Sequence, residues 1–265
     1  MSCVVKWGSA SSRCFDVPLG IKQGGINSPD FFSCYVDDLI GLLCKDGRGC
    51  HVKGKFLASI LFADNLCLIA PTRLALQQMI DKCQQYCSQN VLSFNPKKSK
   101  VMVFSKSVVH HDKYLPLLLN SSNIDYVGCI KYLGTTITSE KGLFFSASDD
   151  LCNFYRASNS FLNTLSKPKE EVQMQLLYSN CVPVLSYASA VKNYKSGDFH
   201  DCNTAINNCI RRVFSFNRWE SVRTLRESFG YPSLTEIFSK SREKFLSHLS
   251  NHTNTVISWL ASVTA

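Results

Sequence analysis

A short polar segment between two apolar runs is the feature that most constrains how this chain folds. Ala63, Asp64 and Asn65 follow the run Phe56–Phe62 and precede the run Leu66–Ala70. Because Asp and Asn favour tight turns, the pattern predicts a β-hairpin with Asp64 at its tip. A carboxylate held between two buried strands is rigidly aimed and suits a metal ion, although a plain polar turn explains the segment better when it is taken alone.

A glycine-rich segment stands ~35 residues before that hairpin and precedes a predicted helix. Gly20, Gly24 and Gly25 are followed by Ser28 and Pro29, which fit an N-cap and the first helical position. Apolar residues then recur at helical spacing and comprise Phe31, Phe32, Tyr35, Leu39, Leu42 and Leu43. The helix is predicted to end in Lys45–Gly49, where two glycines interrupt the pattern.

The remaining pattern predicts an α+β part followed by an all-helical part. Strands are predicted at Val4–Trp7, Arg13–Val17, His51–Val52 and Val101–Phe104, with a hairpin over Tyr126–Thr138 and a helix from Pro71–Thr72 to about Asn90. From about Phe144 only helices are predicted, at 145–165, 168–181, 183–194, 198–215, 219–229 and 233–259. We therefore place a domain boundary near residue 140, between residues 1–140 and 141–265.

Charge and cysteine content narrow the class of protein. The 29 Lys and Arg exceed the 20 Asp and Glu by nine, which suits a polyanionic partner but is also common in proteins that bind none. Thirteen cysteines, an odd number without a Cys-x-x-Cys pair, predict mostly buried thiols in a reducing compartment. His248 and His252 stand four residues apart and could share a metal ion, but a polar helix face explains them better. No apolar run approaches the ~20 residues that span a bilayer, so we expect an intracellular protein of the nucleus or cytoplasm without membrane contact.

Two of these segments together resemble the reverse transcriptases of non-LTR (LINE-type) retrotransposons. Gly20–Pro29 fits the family pattern Gly-x-(Arg/Lys)-Gln-Gly-x-x-x-Ser-Pro, and Ala63–Asn65 stands at the family's distance, where the family has Ala-Asp-Asp. Leu92–Lys100 is similar to the family's Leu-x-x-Asn-x-x-Lys-Ser/Thr-Lys segment. Lys131–Gly134 is similar to its primer-gripping hairpin, and the helical tail is similar to its thumb.

The resemblance implies a fold, a chemistry and a set of site residues. The fold would be a partial palm, an antiparallel sheet with packed helices, followed by a helical thumb and post-thumb region. The complete ancestor would be an RNA-directed DNA polymerase that uses Mg²⁺, dNTPs, an RNA template and a DNA primer. Asp64 would be the metal ligand and Lys98 the acid that protonates pyrophosphate, although a solvated turn explains the lysines around Lys98 better when that segment is taken alone. Lys22 would contact phosphate, and Gln23 would contact the template strand. Gly24, beside Gly25, would contact the incoming nucleotide. Tyr132, Leu133 and Gly134 would hold the primer.

An aspartate pair at Asp37 and Asp38 matches a catalytic signature in sequence but lies in a predicted helix and not in a hairpin. Tyr35–Asp38 reads Tyr-Val-Asp-Asp, like the Tyr-x-Asp-Asp signature of retroviral enzymes. It lies six residues beyond Pro29, inside the run with helical periodicity. We therefore predict that Asp37 and Asp38 lie on the solvated face of the helix.

Two departures from the family pattern bear on activity. Asn65 replaces the second aspartate of the metal motif, and an amide supplies no anionic ligand. Only 19 residues precede Gly20, and Asp16 has the wrong context for the family's earlier metal aspartate, so we expect the fingers and the first catalytic strand to be missing. These departures predict a truncated polymerase that is inactive as this chain. The alternatives are a non-catalytic nucleic-acid-binding remnant and a decayed fragment without a selected role.

Overall fold

Short antiparallel strand pairs and helices share the first half of the chain, and helices dominate the second. The structure is a computed structural model that describes residues 2–17, 20, 24–105, 114–140, 142–164 and 168–264. The described residues within Met1–Lys100 and Tyr114–Asp125 form one compact unit, and those within Val101–Lys113 and Tyr126–Ala265 form a second. The mixture confirms the predicted α+β class, and the palm and thumb division at residue 140 stays a prediction.

The first strands form a small antiparallel ladder. Strand β1 (Ser2–Cys3) pairs with β4 (Phe15–Asp16), and β2 (Lys6–Trp7) pairs with β3 (Ala10–Ser11). The chain reverses at Gly8, whose φ of 61° is accessible to glycine without steric cost. Both predicted strands are present in part, but Lys6–Trp7 pairs with Ala10–Ser11 and Phe15–Asp16 with Ser2–Cys3, so the predicted pairing of Val4–Trp7 with Arg13–Val17 is wrong.

Two helices of the first unit begin and end close to the predicted positions. Helix α1 spans Ser28–Asp46 and stops at Gly47, whose φ of 68° is a left-handed helix end. Its N-cap position is Asn27, one residue before the predicted Ser28. Helix α2 spans Arg73–Gln89, and the Thr72 hydroxyl accepts a hydrogen bond from the Ala75 amide at 3.2 Å.

The buried stripe of α1 is narrower than predicted. Val36, Leu39 and Leu43 are buried, whereas Phe31 is 65% and Leu42 is 46% exposed, because only one face of the helix is covered. The core of the first unit contains Leu39, Leu43, Ala58, Met79, Cys83, Tyr86 and Cys87. The Tyr86 hydroxyl also donates to the Tyr35 carbonyl at 2.9 Å and so joins α2 to α1.

The strands that follow belong to several small sheets, which differ from the single antiparallel sheet that the sequence predicted. Their bounds are β5 His51–Val52, β6 Lys55–Phe56, β7 Ser59–Phe62, β8 Asn65–Leu68, β9 Lys100–Val101, β10 Leu117–Leu119, β11 Ser122–Tyr126, β12 Cys129–Tyr132, β13 Thr135–Glu140 and β14 Gly142–Ser146. Within the described residues, β5 pairs with β6 and β7 with β8, and the orders β10-β11-β9 and β12-β13-β14 form three-stranded sheets. The sequence missed the β10–β11 hairpin, and the predicted strand at Val101–Phe104 keeps only its first residue.

The second unit is mostly helical. Its helices are α3 Ser148–Thr164, α4 Glu170–Leu176, α5 Val182–Ser186, α6 Ser196–Val213, α7 Arg223–Ser228, α8 Leu234–Ser250 and α9 Thr255–Thr264, with one π-helical turn, Leu177–Cys181, between α4 and α5. Their core includes Phe154, Met174, Leu177, Leu185, Cys202 and Ile210. In the part of the chain that the structure describes, no helix is both long and apolar enough to cross a membrane.

Three helical predictions are wrong in extent. The predicted helix 183–194 ends at Ser186, and Ala188 has a φ of 54° in the turn that follows. The helix predicted at 145–165 begins only at Ser148, because strand β14 continues to Ser146. The predicted helix 233–259 is divided after Ser250, because the Asn254 side chain accepts from the Val256 amide at 2.9 Å and so starts a new helix.

The cysteines are free but less buried than predicted. All thirteen lack a disulfide, and the buried ones are Cys83, Cys87, Cys181, Cys202 and Cys209. The others are exposed or half-buried, so the prediction of mostly buried thiols is wrong. His248 and His252 contact each other edge to face, with ring centroids 5.6 Å apart.

Alkaline conditions are expected to destabilise the fold through its buried thiols. Burial raises the pKa of the Cys83, Cys202 and Cys209 thiols from 9.0 to about 12. The folded state therefore holds these protons more tightly than the unfolded state, so the stabilisation is complete below pH 9 and is lost as the pH rises from about 9 toward 12. Thermal melts with reductant at increasing pH should show a falling Tm above pH 9. A Cys209→Ala variant, less stable than wild type at neutral pH, should lose part of that deficit at pH 10; a constant difference would contradict the prediction.

Candidate functional site

The predicted hairpin tip is present and exposes its carboxylate. Strands β7 and β8 pair from Ser59 with Leu68 to Phe62 with Asn65, which leaves Ala63 and Asp64 as a two-residue turn. Ala63 has a φ of 51°, an unusual value for a residue with a Cβ. Asp64 is exposed, and the side-chain Nδ2 of Asn65 donates to its Oδ1 at 3.5 Å. The hairpin thus holds one solvent-facing carboxylate beside a neutral amide.

Only one face of this hairpin is covered, so the prediction of two buried strands is wrong. Ile60 is 51% and Phe62 is 60% exposed on the outer face. A shallow pocket of about 300 Å³ lies on the inner side of the hairpin. It is lined by Ser33, Val36, Asp37 and Ile40 of α1 and by Ser59, Leu61 and Ala63 of the hairpin. Asp37 and Asp38 are exposed on α1, as predicted. Asp37 also lines this pocket beside the hairpin tip, a position that no sequence pattern indicates.

The glycine turn leads directly into α1. Gly24 is exposed with a φ of 81°, and a Cβ built on it meets nothing within 4 Å. The Gly25 carbonyl accepts a hydrogen bond from the Ser28 amide at 3.2 Å, just at the start of the helix. Lys22 and Gln23, which were predicted to meet phosphate and template, lie outside the described residues. The open space in front of Gly24 leaves room for a ligand to approach the backbone.

Lys98 lies on a turn that Asn95 organises. The Asn95 carbonyl accepts hydrogen bonds from the Lys98 amide at 3.2 Å and the Ser99 amide at 3.0 Å, and its Oδ1 accepts from the Lys97 amide at 3.0 Å. Lys98 is exposed. Among the described residues, no hydrogen bond or ion pair joins its side chain to Asp64. The structure therefore gives Lys98 a defined turn without bringing it into contact with the predicted metal ligand.

The predicted primer-gripping residues form a tight turn between β12 and β13. Leu133 and Gly134 have φ values of 46° and 79°, and a two-residue turn of this kind needs positive φ at both positions. The Thr135 hydroxyl donates to the Tyr132 carbonyl at 2.9 Å. The Tyr187 hydroxyl donates to the Leu133 carbonyl at 3.1 Å, and a Cβ on Gly134 would lie 3.2 Å from Tyr187 Cε1. Tyr187 therefore supports this turn, a role that the sequence did not predict.

Asp149, in the first turn of α3, binds the same strand pair. The Thr136 hydroxyl donates to Asp149 Oδ2 at 2.8 Å, and Lys131 Nζ lies 3.9 Å from that oxygen. Acidic residues in a first helical turn also face the positive end of the helix dipole. Ser148–Asp150 is a typical helix-start pattern, which indicates from the sequence that α3 begins here.

Asp150, the neighbouring carboxylate, is the centre of a buried polar cluster. Lys192 Nζ and the Tyr194 hydroxyl both donate to Asp150 Oδ2 at 2.6 Å. The Lys192 side chain is 1% exposed, and its Nζ lies 5.8 Å from the centre of the Tyr187 ring. Burial and the hydrogen bond to the Asp150 carboxylate raise the pKa of Tyr194 far above its usual value. The cluster therefore holds the turn that carries Tyr187, and no sequence pattern marks Lys192 as buried.

The described residues do not supply a complete metal centre of their own. Among them, no group of three or more His, Cys, Asp or Glu side chains could hold a metal ion. At the hairpin tip the donors are one carboxylate, Asp64, and the neutral Asn65. Two Mg²⁺ ions need more oxygen ligands than this tip presents, so the donor set does not fit a two-metal site.

A match to a known protein family shows the class of protein to which the region with this turn, helix and hairpin belongs. Residues 6–137 match the family model for Reverse transcriptase (RNA-dependent DNA polymerase). This stretch includes the Gly24 turn, the Asp64 hairpin tip and the Leu133–Gly134 turn. The chain therefore carries a reverse-transcriptase region.

Curated relatives specify which reverse transcriptases it resembles. The Retrovirus-related Pol polyprotein from type-2 retrotransposable element R2DM of Drosophila melanogaster is 27% identical over 208 residues, which is 76% of this chain and 19% of that protein. The corresponding polyprotein from type-1 retrotransposable element R2 of Popillia japonica is 23% identical over 222 residues, 81% of this chain and 35% of that protein. The region is that of a non-LTR retrotransposon reverse transcriptase, as the motifs predicted. The chain spans about a fifth to a third of the length of these relatives.

Proposed function

We propose that this chain is part of an RNA-directed DNA polymerase of a non-LTR retrotransposon. Residues 1–140 would contribute to the palm, and residues 141–265 would form the thumb and post-thumb region. The observation that carries the proposal is the two-residue hairpin tip, where Asp64 is exposed and held by paired strands. Positioning supplies much of the rate in phosphoryl transfer, and a paired hairpin is a rigid support for a carboxylate.

The predicted functional residues of the two units have separate proposed tasks. In the complete enzyme, Asp64 would supply one carboxylate toward Mg²⁺, and Lys98 would be the proton donor for pyrophosphate. Gly24 and Gly25 let the incoming dNTP approach the backbone, and Lys22 and Gln23 meet phosphate and template. Tyr132, Leu133 and Gly134 hold the DNA primer on the RNA template. These tasks come from the family resemblance, and the exposed position of Gly24 and Asp64 supports them.

We also propose that the 265-residue chain alone does not extend a primer. The tip presents one anionic ligand, because Asn65 carries no charge at any pH. Polymerases of this class need two divalent ions, and a single carboxylate leaves both ions poorly held. No catalytic step is therefore assigned to these residues acting alone.

Restoring the family's second carboxylate is expected to strengthen divalent-ion binding without producing activity. Asn65→Asp adds a negative charge next to Asp64, which should raise the affinity for Mn²⁺ by roughly tenfold because the ion is doubly charged. Asp64→Ala should lower that affinity in both backgrounds. Isothermal titration calorimetry measures the Mn²⁺ affinity. Extension of a DNA primer on an RNA template in the presence of Mg²⁺ measures polymerase activity.

Wild-type extension that disappears in Asp64→Ala would overturn the proposed inactivity. Equal Mn²⁺ affinity in wild type, Asp64→Ala and Asn65→Asp would overturn the metal-binding role of the hairpin tip. Asp16→Ala serves as a matched control, because Asp16 is an exposed carboxylate in a strand of the first unit. Its Mn²⁺ affinity should equal that of wild type.

A second candidate function is nucleic-acid binding without chemistry. The excess of nine positive charges favours it, because Lys and Arg release counterions from phosphate. Binding that is retained by Asp64→Ala and weakens with salt, in a chain that extends no primer, would support this function. Binding that does not weaken with salt would contradict it.

A further inference from the structure

A tight turn after α6 presents an arginine and a tryptophan to solvent. Arg218 and Trp219 are the two central residues of the turn Asn217–Glu220, which the Glu220 amide closes by donating to the Asn217 carbonyl at 3.1 Å. The Glu220 carboxylate accepts from the Asn217 amide. Arg211 of α6 donates through Nε to the Glu220 carbonyl at 2.9 Å, so the helix anchors the turn.

The indole of Trp219 is almost fully open to solvent. Trp219 is 83% exposed, whereas the nearby Phe216 is 37% exposed. A tryptophan buries a large area when a partner covers it, and it keeps few rotatable bonds to order. On an anchored turn, this exposed ring is a preformed contact surface.

The surroundings of the ring carry positive charge. Arg218 is exposed beside Trp219, and Arg212 is exposed at the end of α6. Arg212 donates to Asn159 Oδ1 at 2.7 Å and Arg211 to Asn208 Oδ1 at 3.0 Å, so these bonds leave both guanidinium charges uncancelled. The carboxylate of Glu220 is the opposing charge in the turn, and it accepts a backbone amide.

We propose that Trp219 and Arg218 form a platform for single-stranded nucleic acid. An unpaired base stacks on the indole, and Arg218 meets the adjacent phosphate. Stacking tolerates any base, since every base has a flat face, so the platform contributes affinity without sequence preference. This proposal rests on the proposed function in one respect, that the chain binds nucleic acid. It requires neither Asp64 nor polymerase activity.

A protein partner fits this surface less well. Protein interfaces bury a contiguous apolar core, whereas Trp219 directly follows Arg218 in the turn, and Phe216, three residues earlier, is 37% exposed. The net charge of +9 also favours a polyanion over an average protein surface. Single-stranded RNA and single-stranded DNA share the stacking and phosphate chemistry, and separate titrations distinguish them.

The test is to titrate the purified chain into labelled oligouridylate and, separately, labelled oligothymidylate. Fluorescence anisotropy of the labelled oligonucleotide measures binding. Trp219→Ala is expected to weaken binding about 5- to 150-fold, while Trp219→Phe keeps part of the affinity. Arg218→Ala should lower the slope of log affinity against log salt by about 0.7. Trp7→Ala is the matched control, because Trp7 is 87% exposed in the first unit and should bind like wild type.

Each other outcome overturns a defined part of the proposal. Unchanged affinity and salt slope in Trp219→Ala, with a melting curve equal to that of wild type, would overturn the platform but not the proposed function. An equal loss in Trp7→Ala would also overturn it. Failure of the folded wild-type chain to bind either oligonucleotide at low salt would overturn the platform and the nucleic-acid function together. A self-association that Trp219→Ala abolishes, with oligonucleotide binding intact, would assign Trp219 to a protein contact instead.

Discussion

Replacing Lys192 with methionine is expected to lower the free energy of unfolding of the second unit by about 3–5 kcal/mol. The Lys192 side chain is 1% exposed and lies 2.6 Å from Asp150 Oδ2. Methionine fills similar space but leaves the Asp150 carboxylate buried without its counter-charge, and an unpaired buried charge is strongly destabilising. The Tyr194 hydroxyl remains as a neutral donor and offsets only part of that loss.

Denaturant unfolding followed by tryptophan fluorescence measures this effect. A Trp7→Phe background removes the indole of the first unit, so that Trp219 and Trp259 report on the second. The double variant Lys192→Met/Asp150→Asn should be less destabilised than the sum of its single variants, because neither charge is then left unpaired. Tyr194→Phe, which removes one hydrogen bond, should cost about 1 kcal/mol. A Lys192→Met variant as stable as Tyr194→Phe would contradict the prediction.

The same variant has a consequence at the predicted primer-gripping turn. Lys192 lies beside the Tyr187 ring, and Tyr187 donates to the carbonyl of Leu133. We therefore expect loss of the buried charge pair to loosen the support of the Leu133–Gly134 turn. The Asp150 cluster would then position this turn within the second unit, in addition to stabilising that unit.

Gly49→Ala is expected to destabilise the first unit by about 3 kcal/mol or more. Gly49 has a φ of 135°, and a Cβ placed on it would lie 2.2 Å from the Ala58 Cβ and 3.2 Å from Met79 Sδ. Ala58 and Met79 are both fully buried, so neither can move away without disturbing the core. The backbone approaches closely here because the Cys50 amide donates to the Ile69 carbonyl at 3.1 Å, next to that core.

Gly41→Ala is the matched control with the opposite sign. Gly41 lies inside α1, and a Cβ built on it meets nothing within 4 Å, so alanine should stabilise the helix by about 0.5–1 kcal/mol. Labelling of the buried Cys83 thiol reports on the first unit, and it should be faster in Gly49→Ala and slower in Gly41→Ala. Adding Ala58→Gly should rescue part of the Gly49→Ala loss. Equal labelling rates in both alanine variants would contradict the steric explanation.

Several elements were predictable because short-range chemistry determines them. The end of α1 at Gly47, the start of α2 at Thr72 and the turn at Asp64 all depend on residues that are neighbours in sequence. Caps and tight turns are such local features, since their hydrogen bonds join residues a few positions apart. The family pattern across Gly20–Pro29 and Ala63–Asn65 is equally local, and it led to the correct class of protein.

Other features were not predictable because distant residues decide them. The β10 strand exists beside α2, where the Gln77 side chain accepts from the Leu118 amide at 2.8 Å and donates to its carbonyl at 2.9 Å. The predicted helix 183–194 stops at Ser186, and the segment after it instead carries Lys192 and Tyr194 to a carboxylate 42 residues or more away in sequence. Hydrophobic periodicity does not encode such contacts, because they depend on which surfaces meet after folding.

Local residue patterns are enough to predict the hairpin with Asp64 at its tip, the helix after the glycine turn and the kinship with non-LTR reverse transcriptases. Each of these follows from residue types at fixed local spacing. Only the folded chain shows that Ile60 and Phe62 remain exposed, that Lys192 is buried against Asp150 and that Tyr187 supports the Leu133–Gly134 turn. Burial and long-range hydrogen bonding belong to the packed chain, because the partner of each group is set by the whole fold and not by its neighbours in sequence.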